Sequence, residues 1–199
     1  PRGGGTGLVG GAIPTQDGII LSLERLNGIE IDKENMMAIA EAGATLEKLT
    51  KTADEVGLFF PAHPGDENAQ IGGLVATNAG GMSAVKYGVT RNFVLGLEVV
   101  LPTGEIIETG GKYVKVSTSY DLTQLIVGSE GTLAVITKVI LRLLPRPKAT
   151  TTLFVPFKEL NDGIRAVPAI LKSGVTPVTI EFLEKLGLNS MEEYTGIRI

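Results

Sequence analysis

A mixed fold of antiparallel strands and short helices is predicted for this 199-residue chain by three observations. Strand-like runs lie close together and are separated by turns, as in meanders and hairpins. Residues 45–56 place apolar side chains at helical spacing between two cap signals. The opening matches G-x-G-x-x-G at Gly5-Thr6-Gly7-Leu8-Val9-Gly10, yet Gly11, Pro14, Asp17 and Gly18 follow at once. No helix longer than about one turn can start there, so a doubly wound dinucleotide fold is disfavoured.

In chain order, GIILSL from Gly18, IEID and MMAIAEAG form three short strands with turns between them. In TLEKLTKTADEV, Leu46, Leu49, Ala53 and Val56 share one helical face, with Thr45 as N-cap and Gly57 as C-cap. PAHPGDENAQ is an irregular connection, and a loop of that length in a compact domain is usually functional or mobile. IGGLVATNAGG is too rich in small residues for a packed strand. A hairpin follows, with strands Val94–Leu101 and Glu105–Glu108 about the turn Pro102-Thr103-Gly104. Asp121 caps the short helix LTQLIV, which ends at Gly128, and TLAVITKVILRLLP is a β-branched strand run. At Pro145-Arg146-Pro147-Lys148 the composition changes to an extended linker. Beyond it TTTLFVPF reads as a strand, ELNDGIRAVPAILKSG as a helix broken or kinked near Pro168, and VTPVTIEFLE as a strand or a strand-to-helix corner. This β-α-β piece is the start of a second domain, dividing the chain into 1–148 and 149–199.

Composition excludes several chemistries. The net charge is −4, and the 18 Lys and Arg are scattered, so binding of nucleic acid by a basic face is not expected. Without Cys there is no disulfide, thiolate nucleophile or iron–sulfur ligation, which suits a reducing compartment. One histidine, His63, leaves almost nothing for a zinc site, and no metal site is expected. No apolar run reaches the roughly 18 residues of a membrane span.

Glycine is the exception, at 26 residues and concentrated in three places. The P-loop pattern fails in the first, because Gly10 is followed by Gly11 and the stretch has no Lys. What remains is a loop of open backbone N–H groups with Arg2 at its base, suited to phosphate or pyrophosphate; a glycine turn without a ligand is the alternative. In the second patch Ile71, Leu74 and Val75 can anchor the segment. Gly72, Gly73, Gly80 and Gly81 then admit a flat ligand, and Thr77 and Asn78 supply neutral polar groups. The third, Gly128-Ser129-Glu130-Gly131-Thr132, is not G-x-S-x-G, which disfavours a serine hydrolase. Three separated, mostly uncharged glycine turns suit a large, flat, phosphate-bearing cofactor.

These residues resemble a known family. PRGGGTGLVGGAIP resembles the pyrophosphate loop of the PCMH-type FAD-binding domain of vanillyl-alcohol oxidase-type flavoproteins. HPGDENAQIGGLVATNAGGMSAVKYGVTRNFVLGLEVVLPTGEIIETG and YDLTQLIVGSEGTLAVITKVILRLLPRP are similar to the branch containing glycolate oxidase D-subunits, D-lactate dehydrogenases and D-2-hydroxyglutarate dehydrogenases. The resemblance covers residues 1 to 185. It implies an α+β FAD domain of two subdomains, incomplete at its N-terminus, followed by the start of an α+β substrate cap domain. The first strands expected before Pro1 and most of the cap, with its histidine-rich site, would lie outside this chain.

The resemblance also implies non-covalent FAD. Arg2, Gly3, Gly4, Gly5, Thr6, Gly7 and Leu8 would take the pyrophosphate. Pro64, Gly65, Ile71, Gly72, Gly73, Thr77, Asn78, Gly80 and Gly81 would line the flavin and phosphates, and Glu130, Gly131 and Ile136 would fall near the flavin ring or the adenosine end. Glu130 reads equally as a turn carboxylate bonding its own backbone. Tyr87 would reach the flavin edge or pack on the domain surface. His63 is a polar contact to the cofactor or a plain loop histidine, with a covalent flavin link disfavoured, and Asp66 and Glu67 are a solvated loop pair or caps for the following turn rather than a general acid/base pair. No catalytic residue is assigned. The implied activity is oxidation of a small D-2-hydroxy acid such as glycolate or D-lactate, with hydride passing to flavin N5. Electrons would leave to an electron-transfer flavoprotein, an iron–sulfur subunit or a quinone, in the cytoplasm or at the inner face of the membrane. Two alternatives stay open: a ligand-free module without chemistry of its own, and an alkyl-dihydroxyacetone-phosphate synthase-like enzyme without net redox turnover.

Overall fold

The computed structural model describes residues 1–15 and 17–198; the last residue of the expected second domain, Ile199, lies outside the described residues. Strands β1 (Ile29–Asp32) and β2 (Met37–Glu41) form an antiparallel hairpin. Helix α1 (Leu46–Asp54) follows and begins as its sequence predicts: the Thr45 hydroxyl accepts the Lys48 N–H at 3.2 Å, and Leu46, Leu49 and Ala53 are buried. The remaining elements are β3 (Leu58–Phe59), α2 (Ile71–Thr77), α3 (Ala84–Tyr87), a 3₁₀ turn at Thr90–Asn92, β4 (Val94–Val100), β5 (Ile106–Gly110), α4 (Leu122–Ile126), β6 (Val135–Arg142), β7 (Leu144–Pro145), α5 (Leu160–Lys172) and α6 (Lys185–Thr195).

The main sheet runs β1-β2-β6-β4-β5 and is antiparallel throughout, so the late strand β6 inserts between the two early hairpins. Register explains the core. Ala38 lies opposite Leu141 and Ala40 opposite Val139, while Leu97 lies opposite both Val139 and Thr109. Directly paired residues share a face, and all six are buried. The small Ala38 and Ala40 leave room on that face for α2, whose Ile71, Leu74 and Val75 are buried in the same core. Asp121 caps α4 by accepting the Gln124 N–H at 3.0 Å, and the buried Thr123 hydroxyl bonds Thr109 of β5 at 2.9 Å.

Four expectations change. GIILSL is not a strand; among the described residues only Ser22 of this run makes a bridge, an isolated one to Arg2, and the run has no ladder partner there. IGGLVAT is a helix, made by burial of its apolar residues against the sheet rather than by propensity. TTTLFVPF is exposed, VTPVTI is exposed apart from the partly covered Pro177 and Ile180, and neither joins a strand among the described residues, because β propensity without a neighbouring strand makes no sheet. Helix α6 begins directly after VTPVTIEFLE, at Lys185, and α5 runs unbroken through Pro168, where the sequence predicts a break or kink. No residue described after Leu143 is buried.

An ion pair joins the 111–120 loop to the first hairpin. Lys112 lies 2.7 Å from Asp32, whose carboxylate also accepts from the Asn35 side chain at 2.9 and 3.0 Å and from its N–H at 3.1 Å. Lys112 first, and Asn35 second, hold Asp32 at about 2 instead of the ordinary 3.8. A carboxyl depressed on folding adds stability above its unfolded value and loses it as pH falls through the folded one. The stability difference between wild type and Lys112→Met is therefore expected to be constant above about pH 5 and to shrink as pH falls from 3.8 through about 2. Urea unfolding across this range checks it; a difference that persists undiminished at the acid end would contradict the assignment.

Candidate functional site

The residues from 2 to 9 cross the surface as an irregular loop in which Gly5 is left-handed (φ 72°). Arg2 donates its N–H to Leu21 O at 2.9 Å. Beyond it, the N–H groups of residues 3 to 8 donate to no described residue. Free donors on a glycine-rich loop suit an anion. Arg2 adds charge: its Nε is buried and unpartnered, and the guanidinium pairs with no carboxylate among the described residues.

Arg2 and Gly3 form one wall of a cleft of about 60 Å³. Gly72, Gly73 and Ala76 of α2 line it too, with Gly3 set against Gly73, and so do Glu130, Gly131 and Ile136. Two of the first N–H groups of α2 are already used, Ile71 donating to Ala44 O and Gly72 to Ala42 O at 2.8 Å each. The Gly73 N–H donates to no described residue, and a Cβ added there would face open space. The third glycine turn docks on the end of α2 through Gly128 N to Val75 O at 3.0 Å and Glu130 N to Ala76 O at 2.8 Å. Its left-handed residues Gly128, Glu130 and Gly131 (φ 83°, 54° and 75°) swing the chain back across the cleft.

The structure thus brings together Arg2, Gly3, Gly72, Gly73, Glu130, Gly131 and Ile136. Gly4 backs onto Asn68 O, while Gly5, Gly7 and Leu8 extend outward; Leu8 is entirely exposed and Thr6 is half-buried. Ile71 is a core anchor. Thr77 bonds back to Gly73 O at 2.9 Å, and Asn78, left-handed at the C-cap of α2, accepts the Arg91 N–H at 2.9 Å. Pro64, Gly65, Gly80, Gly81 and Tyr87 belong to a separate cluster outside the cleft wall. There Gly81 backs onto His63 and Pro64, Gly80 faces Val89, and Tyr87 packs edge-on to Phe59 at 5.8 Å. His63 Nδ1 accepts the Gly65 N–H at 3.2 Å, and its Nε2 lies 3.8 Å from Glu67.

Gln70 and Arg91 carry no sequence signal. Gln70 is buried, with its Oε1 unpartnered, beside Gly3. Arg91 joins α4 to the third glycine turn. Both depend on long-range neighbours that no local spacing encodes.

A model of the family described as FAD binding domain matches residues 1–110. The chain is 49% identical over 197 residues to a D-lactate dehydrogenase of Archaeoglobus fulgidus, covering 99% of this chain and 44% of that protein. It is 42% identical over 199 residues to the glycolate oxidase subunit GlcD of Bacillus subtilis, covering 99% of this chain and 42% of that protein. It therefore spans less than half the length of those relatives. Among solved structures it is similar to an alkyldihydroxyacetonephosphate synthase, with a TM-score of 0.75 and 25% identity over 90% of this chain and 33% of the other.

Proposed function

The chain belongs to the FAD binding domain family, and from that premise we propose that the Arg2–Gly3 loop, the Gly72–Gly73 face of α2 and the Glu130–Gly131 turn hold the FAD of a D-2-hydroxy-acid oxidoreductase. The observation that carries this is the pairing of an uncompensated Arg2 guanidinium with the open N–H groups of residues 3 to 8, a donor set that suits pyrophosphate. The cleft alone is far smaller than a typical cofactor pocket of roughly 300–1,000 Å³, so it would take one part of an extended ligand lying across the loop. Gly73 leaves room for that ligand to approach backbone. When bound, FAD supplies the hydride acceptor. The residues of this chain grip and orient it, and no catalytic base is assigned among them.

The substrate reading, a small hydroxy acid such as D-lactate or glycolate, rests on the names of the relatives matched at 49% and 42% identity. Transfer of electrons to an electron-transfer flavoprotein, iron–sulfur subunit or quinone, and a cytoplasmic or membrane-peripheral place of action, belong to the same proposal. No described helix is long and apolar enough to cross a membrane. A domain division near residue 148 is supported by burial ending at Leu143. The structural likeness to a synthase supports a second reading, a flavoenzyme without net redox turnover.

Purified protein is expected to be yellow and to keep flavin bands at roughly 375 and 450 nm through desalting. A colourless chain that cannot be loaded with FAD would overturn the proposal. In the intact flavoprotein, anaerobic D-lactate or glycolate is expected to bleach the longer-wavelength band; retained colour with FAD bound would favour the synthase-like reading.

A further inference from the structure

We infer that Arg91, which lies outside the cleft wall, is the positioning residue that sets the Glu130–Gly131 turn against α2; the inference rests on the proposal that this cleft holds FAD. α4 ends abruptly at Ile126, and the last carbonyls of a helix have no partner inside it. Arg91 supplies one. Its Nη1 donates to Gln124 O at 3.1 Å and Gln124 Oε1 at 3.3 Å, and its Nη2 donates to Val127 O at 2.9 Å. Gln124 replies, its Nε2 donating to Arg91 O at 3.2 Å. The backbone N–H of Arg91 holds Asn78, the left-handed C-cap of α2. One residue thus ties the end of α4 to the end of α2.

The next residue in the chain is where the cleft turn begins. Gly128 is left-handed, and a Cβ there would lie 3.3 Å from Arg91 Nη2 and 3.4 Å from Asn78 Cβ, so the turn passes directly over the guanidinium. Val127 O and Gly128 N belong to one peptide unit: Arg91 holds its oxygen and Val75 O receives its N–H. Orienting that peptide sets the direction in which Ser129, Glu130 and Gly131 enter the cleft. A planar fork that reaches two carbonyls at once is a property of guanidinium and not of ammonium.

The test is FAD titration of the purified chain, with flavin visible circular dichroism recorded at saturation. Arg91→Lys is expected to raise the FAD Kd by roughly tenfold or more, the loss of a charge-assisted hydrogen bond. It is also expected to change the dichroism of the saturated protein, a spectrum that simple destabilisation would leave unaltered once every site is filled. Low-millimolar guanidinium is expected to restore affinity in Arg91→Ala. Gln124→Leu, which keeps the guanidinium and removes the side-chain ties to Arg91 together with the 3.5 Å bond from Gln124 Nε2 to Val94 O, is expected to change affinity and spectrum in the same sense by less. Wild-type Kd and dichroism in Arg91→Lys would overturn the inference; if that variant does not fold, the same result in Gln124→Leu would. Failure of the unsubstituted chain to bind FAD overturns the proposed function itself and is seen before any variant is compared.

Discussion

Gly81→Ala is expected to destabilise the chain by about 3 kcal/mol, the largest single-residue effect foreseen here, and to abolish FAD retention with it. A Cβ at Gly81 would overlap the carbonyl oxygen of His63, and would also lie 2.6 Å from its carbonyl carbon and 2.9 Å from Pro64 Cα. These are backbone atoms, and both sides of the contact are tied down. Phe60 and Ala62 are buried in the core, and the Ser83 hydroxyl donates to Pro61 O at 2.5 Å. The loop cannot retreat without pulling Phe60 out of its edge-on contact with Phe93 at 5.8 Å. Gly73→Ala is the control: its Cβ meets nothing within 4 Å, and alanine suits a helix better than glycine by roughly 0.5–1 kcal/mol. Urea unfolding of apoprotein should show Gly81→Ala shifted strongly down and Gly73→Ala unchanged or higher. Equal midpoints would mean that the His63–Gly81 contact does not constrain the fold.

The same glycines mark where sequence reasoning stopped. Glycine-rich backbone near a flat ligand is a sound expectation from IGGLVATNAGG, yet within the chain three of its four glycines already have packing partners. Gly72 meets Ala42, Gly80 meets Val89 and Gly81 meets His63, leaving Gly73 alone open. α1 and the β4–β5 hairpin are legible because their determinants are local: a threonine cap three residues from its donor, and a Pro-Thr-Gly turn between alternating strands. α2 is not, since its stability comes from Ile71, Leu74 and Val75 meeting a sheet built from residues up to 70 positions away. The place of β6 between β2 and β4 is likewise a long-range result. Arg91 stands 33 residues from Gln124 and 36 from Val127, a separation with no periodicity to reveal it. TTTLFVPF shows the converse error, a strand composition with no strand beside it.

Gly5→Val is expected to weaken FAD binding by at least about tenfold while leaving the stability of the apoprotein within about 0.5 kcal/mol. Gly5 sits at φ 72°, where a β-branched residue is disfavoured by roughly 1–2 kcal/mol. Packing gives no further penalty, because a Cβ there meets nothing within 4 Å. In the free protein the loop can relax away from the strained angle, since no N–H from residue 3 to residue 8 is held by a described partner. Bound FAD would remove that freedom: donors that grip a pyrophosphate must all point at it together, so the strain is then felt in full. The effect therefore falls on the complex and not on the fold, the opposite of Gly81→Ala. Calorimetric titration with FAD beside urea unfolding of the apoprotein separates the two. Wild-type FAD affinity in Gly5→Val would remove this loop from the cofactor site, and a large loss of apoprotein stability would show that the loop is held by the fold rather than by its ligand.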